Sequence, residues 1–138
     1  MTYEIPFILA HTADRRHLAY ANRKRLTGEQ ALALAYEATI AGRELLAPIK
    51  VPTVEVRLVN NTSFAGAYHC DPDGFAVAQI RFSAAYYYTV GTVLHEVAHH
   101  LERCQNGERR DRRGIIWHDE AFVEWLDWLV AWYYGRRK

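Results

Sequence analysis

Residues 92–102 read TVLHEVAHHLE, and no other stretch constrains the chain as much. His95, Glu96 and His99 match the H-E-x-x-H pattern. On an α-helix, positions i and i+4 share a face about one turn apart, so both imidazoles can reach one metal ion. Glu96 follows the first histidine and can point at a water on that ion. Zinc lowers the pKa of its bound water to about 7, so a neighbouring carboxylate can take the proton. The surrounding residues sharpen this reading. Val93, Leu94, Val97, Ala98 and Leu101 are apolar, and Glu96 is the only Asp, Glu, Lys or Arg between residues 93 and 100. Such a helix is buried on most sides. Burying a carboxylate and two imidazoles without partners costs several kcal/mol, so a chain that does so needs a reason. The competing reading is an ordinary buried helix whose histidines are hydrogen-bonded inside the fold.

A zinc site that does chemistry has three protein ligands and one open position. His118 comes 19 residues after His99, just ahead of the last helix, where it can face the motif helix across the site. Glu120 and Glu124, 21 and 25 residues after His99, are its rivals. The metzincin spacing fails, because it puts the third ligand at Gln105 and its glycine at Glu102. His100 is turned about 100° from its neighbour, which leaves it as a supporting group or a pocket wall. Cys104 falls on the opposite side of the helix and Cys70 in a strand, so neither is expected to ligate.

The chain has 138 residues, half of them hydrophobic, which suits one domain with a single core. We read residues 1–26 as an arm and short helix and residues 27–134 as the core. A net charge of +1 provides no global field toward nucleic acid or membrane. Two cysteines make no disulfide framework, and free thiols in a reducing cytosol are expected over a Cys70–Cys104 bridge. No signal peptide is recognisable, and no apolar run approaches the ~18 residues of a spanning helix. The expected location is cytoplasmic, without membrane contact.

Periodicity supplies the remaining elements. Residues 12–25 suggest a short helix with a basic, solvated face. Thr27-Gly28-Glu29-Gln30 fits a capping box for an Ala- and Leu-rich helix ended by Pro48. Apolar residues cover much of its circumference, so it is expected to pack on a sheet. Residues 53–59 alternate as a strand. Residues 64–70 and 75–82 flank Asp71-Pro72-Asp73-Gly74 and form a hairpin, with Gly66 marking a bulge or a close backbone approach. Residues 108–114 (ERRDRRG) read as a solvated loop. The last helix starts near Asp119. Phe122, Trp125, Leu126, Leu129, Val130 and Tyr133 line one face, Trp128 and Trp132 serve as further core anchors, and Gly135 ends it. The expected fold is α+β: a small mixed three-stranded sheet with a packed helix, the HExxH helix and a C-terminal Trp-rich helix.

The run from Gly66 to Ser83, then HEVAHH, then His118-Asp119-x-x-Phe122, resembles the Spartan-like (SprT-type) zinc metalloproteases over residues 54–130. It is also similar to small metallohydrolases of actinobacteria and their phages. In the Spartan-like group an H-G-x-x-F segment supplies the third ligand, and here Asp119 stands in place of its glycine. The resemblance implies a zincin-like fold with one zinc ion held by His95, His99 and His118, and Glu96 as general base and acid. It also implies that residues 64–70 are an edge strand beside the cleft, to which a peptide substrate can add. Crosslink-repair members carry DNA-binding or zinc-ribbon segments, and no ribbon is legible here, so nucleic acid is not the expected partner. Tyr86, Tyr87, Tyr88 and His100 are candidates for stabilising the oxyanion. Two other readings are a non-protease zinc metallohydrolase of a small amide and a catalytically inactive zincin-like binding module.

Overall fold

The computed structural model describes residues 23–52, 55–59, 66–70, 78–83, 88–107 and 120–136. The first helix, α1 (Gly28–Leu46), begins where the capping box places it. Thr27 Oγ1 accepts from the Gln30 backbone N–H at 3.1 Å, and Gln30 Oε1 accepts from the Thr27 N–H at 2.9 Å. Two amide donors that the first turn leaves without helical acceptors are thereby satisfied. The helix stops at Ala47, which turns extended ahead of Pro48 as a residue before proline must.

Just before it, β1 (Arg25–Leu26) pairs antiparallel with β5 (Tyr88–Thr89). The expected basic helix therefore does not reach residue 25. Arg23 is still helical, but Arg25 is drawn into a strand, and the Lys24 carbonyl accepts from Val90 N–H at 3.0 Å. The rest of that proposed segment lies outside the described residues.

The larger sheet has the order β2-β4-β3, with β2 (Glu55–Val59) parallel and β3 (Gly66–Cys70) antiparallel to the central β4 (Ala78–Ser83). It is thus a mixed three-stranded sheet, and the fold is α+β. The β3–β4 pairing is the expected hairpin, although its turn lies outside the described residues. Gly66 pairs with Phe82 in an unbroken register, so no bulge occurs along β3.

The motif helix, α2 (Val90–Asn106), follows β5 directly. Thr89 caps it, its Oγ1 accepting from Thr92 N–H at 3.1 Å. Gly107 closes it at φ +79°, a left-handed conformation that glycine adopts without penalty, and returns its N–H to the Arg103 carbonyl at 2.8 Å. The last helix, α3 (Glu120–Arg136), continues through Gly135 instead of ending there. Its expected apolar face is buried at all six positions, from Phe122 to Tyr133. Asp119, proposed as its cap, lies outside the described residues.

α2 sits in the middle of the molecule, between α1 and α3, with β3 and β4 also against it. α1 packs chiefly on α2 and touches the sheet only lightly, contrary to the sequence expectation. Its buried face explains why. Ala31, Ala35, Ala38 and Gly42 form a stripe of small side chains that lets a neighbouring helix approach closely. A methyl group at Gly42 would overlap the side chain of Leu101, which is fully buried and has no room to swing away. Helix propensity favours Ala over Gly by about 1 kcal/mol. The overlap outweighs that gain, so Gly42→Ala is expected to destabilise the protein by about 1–3 kcal/mol in urea unfolding. The double variant with Leu101→Ala should cost less than the sum of the two single changes. A Gly42→Ala protein as stable as the wild type would contradict this packing.

Candidate metal centre

Along α2 from Val90 to Cys104, every residue is buried except Thr92 and His95, which are half-buried. The motif therefore opens to solvent at His95 and is closed elsewhere. The helical repeat sets His95 and His99 one above the other, with ring centroids 4.9 Å apart and planes at 80°. α3 supplies the wall against them. Phe122, 1% exposed, packs on both rings, with centroids 4.9 Å from His95 and 4.5 Å from His99. The sequence placed Phe122 on a buried helix face. Its role as the surface that fixes both imidazoles comes only from tertiary packing, and its position four residues after His118 was the one available hint.

A polar atom of Glu96 joins one from each of these rings, all within 4.8 Å of one another, and this group could hold a metal ion. Two imidazoles on one helix face suit zinc as ligands, and the carboxylate beside them is placed to act on a water held there. The Nδ1 atom of His95 is buried and makes no hydrogen bond, while the ring itself is held by His99 and Phe122. Burial raises the Glu96 carboxyl from 4.5 to about 8, because desolvation penalises its charged form. The metal-free chain thus keeps this carboxyl largely neutral at pH 7. A nearby dication would reverse that preference.

The neighbouring histidine does a different job. His100 is fully buried, and its Nε2 donates to the Pro52 carbonyl at 2.8 Å, tying the α1–β2 connection to the motif helix. That connection is also held by Arg43 Nε, which donates to the Val51 carbonyl at 3.0 Å. Cys104 Sγ lies 3.8 Å from the same His100 nitrogen. Burial, helped by repulsion from Arg103 and Arg43, lowers the His100 pKa to about 4 against the opposing pull of the Pro52 hydrogen bond. His100 is therefore neutral at pH 7 and stands outside the His95–Glu96–His99 group.

The other candidates fall as follows. Glu120 and Glu124 are exposed, and neither joins the group. His118 lies outside the described residues, as do Tyr86, Tyr87 and the 108–114 loop. Tyr88 is half-buried against the core, close to Gly28. Cys104 is buried and is not in a disulfide, so a Cys70–Cys104 bridge is absent. No helix among the described residues is long and apolar enough to cross a membrane. No protein-family model, no curated protein and no solved structure matches the chain.

The two buried groups give opposite pH responses. Glu96 holds its proton more tightly folded than unfolded, so the metal-free protein should lose stability as pH rises from 4.5 to about 8. His100 resists protonation when folded, so stability should fall as pH drops from 6.5 to about 4, by about 3 kcal/mol in all. Of these two responses, that of Glu96 continues above pH 6.5 and that of His100 does not. Urea titrations of metal-free protein at pH 6.5 and 8 should show that loss in the wild type, and Glu96→Gln should flatten it. An equal slope in both proteins would contradict the burial of an uncharged Glu96.

Proposed function

We propose that the chain is a zinc-dependent metallopeptidase of zincin-like architecture, in keeping with its resemblance to the Spartan-like proteases. The observation that carries this reading is the convergence of His95, Glu96 and His99 within 4.8 Å on a buried helix with one half-open side. His95 and His99 would hold one zinc ion, with His118 as the third ligand. Phe122 brings the start of α3 against both imidazoles, and His118 lies two residues before Glu120, at most ~7 Å of chain. The exposure of Glu120 and Glu124 favours His118 over either of them. When bound, zinc would polarise the scissile carbonyl and acidify a water molecule.

Glu96 is the only carboxylate in the group, so the proton falls to it. It takes the proton from the attacking water and returns it to the leaving amine. Its buried setting excludes bulk water from that transfer. β3 is an end strand of the described sheet and lies against the motif helix, which supports a substrate bound as an added strand through main-chain hydrogen bonds. The substrate class is therefore a peptide or an extended protein segment, with no call for nucleic acid or membrane. A Cys104 that is outside any disulfide accords with a cytoplasmic setting.

Replacing Glu96 with Gln should leave zinc bound and lower kcat/KM on a peptide library by about 10²–10⁴-fold. Retained hydrolysis would sink the assignment of the base. His118→Ala should weaken zinc binding in chelator competition by at least about tenfold while the far-ultraviolet circular dichroism stays unchanged. Undiminished affinity would remove His118 from the site.

A further inference from the structure

The tryptophans of α3 form a second feature, away from the His95–Glu96–His99 group. Where the ends of α1 and α2 meet the first half of α3, an open groove of about 230 Å³ is lined by Leu45, Gln105, Glu124, Trp125 and Trp128. Drug-sized ligands occupy ~300–1,000 Å³, so this groove suits a single long side chain. Trp125 and Trp128 stand with ring centroids 5.8 Å apart and planes at 81°; Trp128 is half-buried and offers the aromatic wall, and the buried Trp125 backs it. Trp125 is held in place behind it, its Nε1 donating to Gln105 Oε1 at 2.9 Å. Leu45 completes an apolar floor and is itself 57% exposed.

Charge selects the occupant. Glu124 is exposed at the rim, and Glu120 and Asp127 stand one turn to either side of it on the same helix. An aromatic face beside a carboxylate attracts a cation twice over, through the ring quadrupole and through the negative charge. A neutral apolar side chain would gain only the first contact area, and an anion would be repelled. Arginine fits best among natural side chains. Its planar guanidinium stacks on an indole while its edge can donate to a carboxylate, and its stem covers apolar surface. We infer that the Trp125–Trp128–Glu124 groove is a docking site for an arginine side chain presented by a basic segment of a partner polypeptide. This site does not depend on the metal or on hydrolysis.

The test uses the full chain, ¹⁵N-labelled, titrated with N-acetyl-arginine amide and with its neutral isostere N-acetyl-citrulline amide. The indole N–H signals of Trp125 and Trp128 report on the groove, and those of the other two tryptophans serve as controls. Arginine should move the Trp125 and Trp128 signals saturably at millimolar concentration, and citrulline should bind at least about fivefold more weakly. Glu124→Gln, an exposed substitution, should weaken arginine binding by about threefold or more. Three results would each overturn the inference: equal affinity for arginine and citrulline, binding unchanged in Glu124→Gln, or no movement of these two signals up to about 50 mM ligand.

Discussion

The structure depends on enclosing an ionisable motif inside a helix that touches solvent at only one side. A carboxyl and two imidazoles are costly to bury, and the fold meets that cost with packing around them. The small-residue stripe of α1 brings one helix close to α2. Phe122 and the rest of the α3 face close another side, and β3 and β4 lie against a third. The half-burial of His95 is what remains open. A stable core alone would not require this arrangement, since apolar residues of similar size would pack there at lower cost. The rings of His95 and His99 are held in place by each other and by Phe122, and Glu96 sits where its charged form is poorly solvated, so a metal ion that bound there would meet a group already in position.

The adjacent histidines show how one residue of helical rotation separates two roles. His99 turns toward His95 and Phe122. His100 turns toward Pro52 and anchors a connection 48 residues earlier in the chain. The first is held by ring contacts that leave its donor atom within the group, and the second spends its nitrogen on a backbone carbonyl. Because His100 fixes the α1–β2 connection to α2, the motif helix holds the strand region to itself through the residue next to His99.

Local chemistry was legible in the sequence. The Thr27–Gln30 capping box, the pairing of β3 with β4 and the six-residue face of α3 all follow from short-range rules, and each recurs in the structure. What was not legible depends on partners distant in the chain. Arg25 is extended because β5 lies beside it, which no local preference of a basic segment reveals. α1 turned from the sheet to α2 because Ala31, Ala35, Ala38 and Gly42 share a face, a pattern obscured by the other apolar residues around the helix. Of the bulge or close backbone approach that Gly66 signalled, the bulge does not occur, because Gly66 sits in regular register. At the candidate site the spacing of His95, Glu96 and His99 was enough to bring them together, whereas the Phe122 wall and the His100–Pro52 anchor arise only in three dimensions.

The central claim is that this buried group holds a metal, and metal content tests it most directly. Elemental analysis of the purified chain, after zinc loading and removal of excess, should find one zinc per chain, and none in the His95→Ala/His99→Ala double variant. A wild type that retains no zinc, or a double variant that retains all of it, would contradict the account and leave the histidines as core residues.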